Sequence, residues 1–364
     1  MFNIGIVTHY GVHNHGAQLQ LFALLTILRN KCYDCHALGF DKNYRYMDKS
    51  AANKYSISIK SIPYYLQYLL SKGFGKTLFN VKKKRIFDKF RNENYIIGDR
   101  YEAFDGDLIV VGSDEVFSFE TGVTGAFWGV NNKAKKLVSY AASFGPTTSQ
   151  EIHDKQLENF VLDGLKRFSS ISVRDENSVD IVKKFSNITP IKNCDPVIFY
   201  GYQKEISEFA ELVETSEPYI LLYSYDNNMN DDQDIEIVKK IADEKNLPVY
   251  SVGFYHSWCD KNFNASPLEL LGWFKNAEFI ITDTFHGTVL SLITNSVFAT
   301  KVRGNGNKIC NLLKEYDLDN RIFSNYQSCA KILDTEIDYD FVCKRMTDYR
   351  QEADFYLNRV LESI

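Results

Sequence analysis

The sequence predicts an α/β protein built from two doubly wound domains that face each other across a cleft. Three observations predict it. The chain has 364 residues, about two domains at the usual domain size. Short bulky apolar runs alternate with longer amphipathic stretches, the pattern of βαβ units and parallel sheets. The series then restarts near residue 200, after Cys194-Asp195-Pro196 and a polar, acidic stretch over 201–218.

The first domain is expected over 1–200. Its strand-like runs are Asn3–Val7, Cys35–Phe40, Asp107–Gly112, Leu137–Ala142 and Ser170–Val173. Helical spacing falls between them over Ala17–Arg29, Ser149–Arg167 and Glu176–Phe185. The second domain is expected over 201–338, with strands Tyr219–Tyr225, Val249–Gly253 and Glu278–Thr282 and a short one before Lys301. Its helices are read over Asp231–Lys245, Pro267–Lys275 and Gly287–Thr294. Ser266-Pro267-Leu268-Glu269 supplies a helix start, with an N-cap serine, proline at N1 and glutamate at N3. The apolar spacing of Asp340–Ser363 predicts one long helix that returns, over 339–364, to bridge the domains.

Composition narrows the function. With 45% hydrophobic and 24% charged residues the chain is neither disordered nor collagen-like, and it can bury proper cores. A net charge of −5 argues against a nucleic-acid partner. The start lacks the basic and apolar regions of an export signal, and no apolar run reaches membrane-spanning length. The seven scattered cysteines are therefore expected as reduced thiols of a cytoplasmic protein. Cys32-Tyr33-Asp34-Cys35-His36 has the spacing of a haem attachment site, but is read as the start of a second strand with small buried thiols.

One segment stands apart in charge. Residues 49–91 hold eleven Lys or Arg against the single acid Asp88, which leaves the rest of the chain at −15. Tyr64, Tyr65, Tyr68, Phe74, Phe79, Phe87 and Phe90 interleave with these cations. Such a surface suits the anionic inner face of a membrane or a lipid-linked phosphate; the plainer reading is a solvated helical insert with packing aromatics. Gly75-Lys76-Thr77 is not a P-loop, because Leu70 stands where the first glycine belongs.

Ligands of open α/β sheets sit beyond the carboxyl ends of the strands, so four loops are site candidates. The first, Thr8–Gln18, holds His9, His13, Asn14, His15 and Gly16 before a helix. It is read as polar cleft lining, acid–base machinery or a structural loop. A metal is not expected, since no further ligand stands nearby. In the second, Gly112-Ser113-Asp114-Glu115, Asp114 is either a base acting on a hydroxyl or a helix N-cap. In the third, Arg174 leaves a strand where it can bind a carboxylate or phosphate, or pair on the surface with Asp175 or Glu176. The fourth, Thr282-Asp283-Thr284-Phe285-His286-Gly287-Thr288, puts His286 at the positive end of a helix. That position favours nearby anions and suits a general acid or base near neutral pH. Lys301, Arg303 and Lys308 follow with three cations beside the same cleft.

Taken together these loops resemble the polysaccharide pyruvyl transferase family. The resemblance runs from Gly5-Ile6-Val7-Thr8 and Asn14-His15-Gly16-Ala17-Gln18-Leu19-Gln20 through Gly112-Ser113-Asp114, with Val116, and Ser139-Tyr140-Ala141-Ala142-Ser143-Phe144-Gly145. It continues through Ser172-Val173-Arg174 and Asp195-Pro196 to Thr282-Asp283 and Phe285-His286-Gly287-Thr288. In order and spacing it covers about Asn3 to Phe323.

The resemblance implies two Rossmann-like domains in a GT-B-type arrangement, phosphoenolpyruvate as co-substrate, and a sugar or lipid-linked oligosaccharide as acceptor. It implies no metal and no nucleotide cofactor. The product would be a pyruvate ketal, 4,6-linked on a hexose such as galactose, made in polysaccharide or capsule biosynthesis. His286 maps onto the histidine implicated in catalysis, and Arg174 onto the arginine of the Ser-x-Arg motif. The donor is expected on the second-domain side of the cleft, at Arg303, Lys301, Lys308, Gly287, Thr288 and Thr284, with Arg174 of the first domain. The acceptor is expected at His13, Asn14, His15 and Gly16, with Asp114 as base or acceptor-orienting group.

The chain departs from the family pattern at Glu115 and Phe117, where Gln and Trp are usual. It also departs at Thr284, where many members carry an arginine. The missing charge is expected from Arg303, Lys301 or Lys308. The competing expectations are a GT-B glycosyltransferase using a nucleotide sugar and a non-catalytic glycan-binding relative.

Overall fold

The computed structural model describes residues 2–41, 73–120, 122–215, 217–304 and 306–364. Two parallel sheets form its frame. The first contains β1 (Asn3–Val7), β2 (Asp34–Gly39), β3 (Ile97–Arg100), β4 (Leu108–Val111) and β5 (Lys136–Ser139), in the order β3-β2-β1-β4-β5. The strands β6 (Ser172–Val173) and β7 (Ile191–Lys192) pair with each other and touch β5 through isolated bridges. The second sheet contains β8 (Ile220–Tyr223), β9 (Val249–Val252), β10 (Lys261–Phe263), β11 (Phe279–Thr282), β12 (Phe298–Lys301) and β13 (Ile322–Phe323), in the order β10-β9-β8-β11-β12-β13. Central strands such as β4, Leu-Ile-Val-Val, and β8, Ile-Leu-Leu-Tyr, are buried along their whole length, as strands covered on both faces must be.

Helices cover both faces of each sheet. The helix His15–Asn30 is the one that joins the halves. Leu21, Leu24, Leu25 and Leu28 pack into the core of the first sheet, while Leu19 and Ala23 pack into that of the second. The C-terminal helix Tyr339–Glu362 is shared in the same way. Val342 and Met346 join the second-domain core, and Ala353, Tyr356, Leu357, Val360 and Leu361 join the first. Burying each such leucine contributes about 2 kcal/mol, so the interdomain packing is substantial.

The helix expected over Ser149–Arg167 is two helices, Ser149–Asp154 and Glu158–Leu165. Between them Gln156 has φ 55°, a left-handed turn, and Leu157 dips into the core. Ser266 and Glu269 make the reciprocal capping pair: Ser266 N–H donates to Glu269 Oε2 at 2.7 Å and Glu269 N–H to Ser266 Oγ at 3.2 Å. Cys35 is buried in β2, Cys32 is exposed before it, and all seven cysteines are free thiols.

The basic segment over 49–91 is only partly described. Residues 49–72, with Tyr64, Tyr65 and Tyr68, lie outside the described residues. The remainder opens a helix, Phe74–Glu93, that is not simply a solvated face. Phe79, Phe87 and Phe90 are buried. Lys76 Nζ lies 3.3 Å from Asp226 of the second domain, and Lys83 is buried with its ammonium 4.1 Å from the Phe254 ring centre. Arg91 is buried against Asp88. Lys82, Lys84, Arg85 and Lys89 remain exposed. Among the described residues no helix is long and apolar enough to cross a membrane.

Candidate active site in the interdomain cleft

The carboxyl ends of β1, β4, β6, β11 and β12 converge between the domains. Each loop is held by its own local bonds. Thr8 Oγ1 donates to the Ser113 carbonyl at 2.9 Å, and Ser113 Oγ donates to the Ala141 carbonyl at 2.8 Å, which fixes the loop after β4. Asp114 follows with φ 81°, a strained conformation for a residue with a side chain. It starts no helix, so its expected alternative role as an N-cap does not arise. Thr284 caps the helix Phe285–Ile293 by accepting from Gly287 N–H at 2.9 Å, and so presents His286 on the first turn.

Four charged or titratable groups meet here. Arg174 Nη1 lies 2.6 Å from Asp195 Oδ2, and its Nη2 lies 3.9 Å from Asp114 Oδ1. Its guanidinium also lies 4.6 Å from the centre of the Phe285 ring. His286 Nε2 is 3.6 Å from the same Asp195 oxygen and 2.8 Å from Gln20 Nε2. Gln20 Oε1 lies 3.4 Å from Arg174 Nη1. That orientation lets the Gln20 amide nitrogen donate to His286 Nε2, and it selects the tautomer with its hydrogen on Nδ1. The ring edge carrying Nδ1 faces Gly16; a Cβ on Gly16 would lie 2.1 Å from it.

Burial opposes ionisation of all three charged partners, but their mutual attraction prevails. The Asp195 carboxyl is held below the ordinary range by His286 and Arg174 in spite of its burial. Burial likewise raises the Asp114 carboxyl, but His9, Arg174, His286 and Lys308 together bring it down to about 2. Arg174 is pushed up by Asp195, Asp114 and Asp175, against the effect of burial.

Beside this cluster is a cavity of about 460 Å³ between the domains. Glu115, Glu120, Asn177, Tyr225, Arg303 and Lys308 stand on its wall. Lys308 reaches across it to Glu115. Arg303 Nε donates to Asp283 Oδ2 at 2.7 Å, and Arg303 is also paired with Asp234.

A family model described as Polysaccharide pyruvyl transferase matches residues 14–297. The chain belongs to the polysaccharide pyruvyl transferase family. None of the curated proteins matches it. Among solved structures it is similar to a putative UDP-N-acetylglucosamine 2-epimerase from Listeria monocytogenes, at TM-score 0.54 and 9% identity over 99% of this chain and 95% of that one. It is also similar to the UDP-N-acetylglucosamine 2-epimerase of Rickettsia bellii, at TM-score 0.53 and 12% identity over 100% and 96%. A third is HepE of Anabaena, solved in complex with UDP and glucose, at TM-score 0.51 and 10% identity over 100% of both chains. These likenesses establish the fold: two Rossmann-like domains in a GT-B-type arrangement.

Within this pyruvyl transferase family member the expected site residues separate into two groups. Asp114, Arg174, Thr284, His286, Arg303 and Lys308 lie at or beside the cleft. Arg174 is not a surface residue paired with Asp175 or Glu176. Asp175 caps the next helix instead, accepting from Ser178 N–H at 2.9 Å. The others are taken up by structure. His15 is fully buried, with Nε2 donating to the Ala265 carbonyl at 3.0 Å and its ring packed against Phe87 at 4.7 Å. Burial and the nearby Lys83 push it down to about 3, so it is neutral. Asn14 is the N-cap of the helix His15–Asn30, Gly16 abuts His286, and His13 lies 3.8 Å from Asp88. Gly287 and Thr288 are buried, Thr288 Oγ1 being bonded to the Thr284 carbonyl, and Lys301 is paired with Asp234. His15 and Gly16 thus dock the domains, while the Asn14 side chain also bonds to Tyr225 on the cavity wall.

Gln20, Asp195 and Tyr225 are site residues to which sequence reasoning gave no role. The signal for Gln20 was its spacing, four residues after Gly16 and hence one turn along the same helix face. Asp195 carried the mark of an N-cap before proline, and its Oδ1 does accept from Val197 N–H at 2.9 Å.

Proposed function

We propose that the protein transfers the pyruvate unit of phosphoenolpyruvate onto two hydroxyls of a sugar, forming a ketal and releasing phosphate. The observation that carries this reading is the His286–Asp195–Arg174–Asp114 cluster beside a cleft that holds Arg303 and Lys308, in a member of this family. In the overall reaction the enol C–O bond to phosphate breaks and two C–O bonds form at the same carbon. One hydroxyl proton is balanced by the proton that turns the methylene into a methyl, and the other leaves with phosphate.

His286 serves as the proton carrier in this scheme. In the tautomer that Gln20 selects, the Nε2 lone pair accepts from the Gln20 amide; giving up that contact frees it to take a proton, and Asp195 Oδ2 at 3.6 Å then stabilises the positive charge. Arg303 and Lys308 attract the carboxylate and phosphate of the donor. Asp114, held near pKa 2, is a weak base; it orients an acceptor hydroxyl rather than deprotonating it. Closure of the cleft keeps water from the cationic carbon. The reaction as written needs no resident cofactor.

The acceptor is a sugar of a growing polysaccharide, carried on a lipid. The exposed Lys82, Lys84, Arg85 and Lys89 support approach to an anionic cytoplasmic membrane face. The test of function is phosphate release from phosphoenolpyruvate across synthetic and lipid-linked glycosides. Release that depends on both the glycoside and His286 is expected. Thermal stabilisation by nucleoside diphosphates but not by phosphoenolpyruvate would overturn the reading in favour of nucleotide-sugar transfer. Neutralising the four exposed cations is expected to abolish co-sedimentation with anionic vesicles; unchanged binding would remove the membrane from the scheme.

A further inference from the structure

The acceptor needs a binding surface, and the loop 13–16 does not provide one. His15 is fully buried, Asn14 caps its helix and Gly16 is pressed against His286. The cavity wall offers a different set of groups. Tyr225, just beyond β8, is 43% exposed although its neighbours Tyr223 and Phe254 are buried. Its ring packs edge-to-face with Phe254 at 5.3 Å and 82°, which holds it at a fixed angle. Its hydroxyl end is buried and hydrogen-bonded to the Asn14 side chain; burial pushes it up to about 12, so it stays neutral, with Asp114, Glu115 and Asp283 nearby.

Hydroxyl-binding groups of the first domain line the same cavity. Asn177 Nδ2 donates to the Gly145 carbonyl at 3.2 Å and the Thr147 carbonyl at 3.0 Å, which leaves Oδ1 as an acceptor. Glu120 is exposed and, among the described residues, its carboxylate forms no ion pair. An exposed aromatic ring that shares one cavity with hydroxyl acceptors is the chemistry of pyranose recognition. The ring takes the apolar C–H face of the sugar, and the acceptors take its hydroxyls.

We infer that Tyr225, Glu120 and Asn177 form a subsite for a hexopyranose ring of the acceptor. This rests on the pyruvyl-transfer reading for the identity of the sugar as acceptor, but its test is independent of turnover. Ligand-observed NMR is run on the full-length protein with a panel of methyl hexopyranosides and no phosphoenolpyruvate. At least one glycoside is expected to bind the wild type. Tyr225→Ala is expected to raise its Kd about tenfold or more, Glu120→Gln about threefold, and Tyr225→Phe, which keeps the ring, less than about threefold. Circular dichroism melts confirm that each variant is folded; Glu120 is exposed, so its variant tests the subsite even if a tyrosine variant misfolds.

The subsite is overturned if no glycoside binds the wild type, or if a folded Tyr225→Ala and Glu120→Gln both bind as the wild type does. Equal loss in Tyr225→Phe and Tyr225→Ala would overturn stacking as the cause. UDP binding that competes with the glycoside and is lost in Tyr225→Ala would make the ring a platform for a base instead. If a bound glycoside yields no phosphate from phosphoenolpyruvate, the transfer reaction fails while the sugar subsite stands.

Discussion

His286 and Gln20 meet across the domain boundary, with His286 Nε2 2.8 Å from the Gln20 amide nitrogen. One residue comes from the first turn of a second-domain helix, the other from the helix that both cores share. The ring nitrogen available for chemistry is therefore set by the docking of the two domains.

Gln20→Leu is expected to lower the rate of phosphate release about tenfold or more, with a pH–rate profile displaced from that of the wild type. His286→Ala should cost about a hundredfold or more. Steady-state kinetics over a range of pH check both. Near wild-type turnover for His286→Ala would remove it from the mechanism.

Gly16→Ala places a methyl 2.1 Å from His286 Nδ1. The clash costs about 1–3 kcal/mol, whereas alanine gains about 1 kcal/mol in helix propensity. Thermal stability should therefore fall only modestly. Displacing the ring by about 1 Å should cost about a hundredfold in turnover. Comparing the melting temperature with kcat separates the two effects.

His15 links folding to pH. Its folded pKa of about 3 lies below the 6.5 of a free imidazole, so the unfolded chain binds the extra proton between those limits. Stability is then full above pH 6.5 and falls on acidification through that window. The loss should be about 2 kcal/mol by pH 5. Urea midpoints at pH 7, 6 and 5 should show a shallower slope for His15→Gln. The slope should persist in part, because His13 and His256 are also held low, chiefly by burial.

Lys83 is a buried ammonium that burial brings down to about 8, with Asp226 only partly opposing the shift. The charged form is disfavoured in the fold, so wild-type stability should rise with pH between about 8 and 10.5. The contact with Phe254 offsets about 1–2 kcal/mol of the cost. Lys83→Met should stabilise the protein at pH 7 by about 1–2 kcal/mol and flatten that rise. Denaturant unfolding at pH 7, 8, 9 and 10 provides the measurement.

Periodicity in the sequence revealed the central strands because they are buried on both faces and read as unbroken apolar runs. The strand β3 has all four residues exposed, and β13 has only two residues, so neither left such a run. The loops carrying Arg174 and His286 were legible because a strand end followed by a helix start is a local feature, and the loop carrying Asp114 because it follows the unbroken apolar run of β4. The fate of His15 was not. Whether a histidine lines a cleft or fills an interface depends on residues such as Ala265 and Phe87, far away in the chain. The same holds for Lys301, whose partner Asp234 stands 67 residues away on the helix Asp232–Lys245.

The helix His15–Asn30 also sets the order in which the protein becomes safe. As the chain emerges from the ribosome, this helix and its first-domain neighbours are made early. Leu19 and Ala23, with the side of His15 turned from Phe87, then lack most of their cover until Tyr202, Tyr223, Phe254 and Ala265 have been synthesised. For that interval a nascent first domain carries an open apolar seam, the kind of surface that chaperones hold and that aggregates form upon. A truncation near residue 200 would make the exposure permanent, so the first domain expressed alone should be the less soluble product.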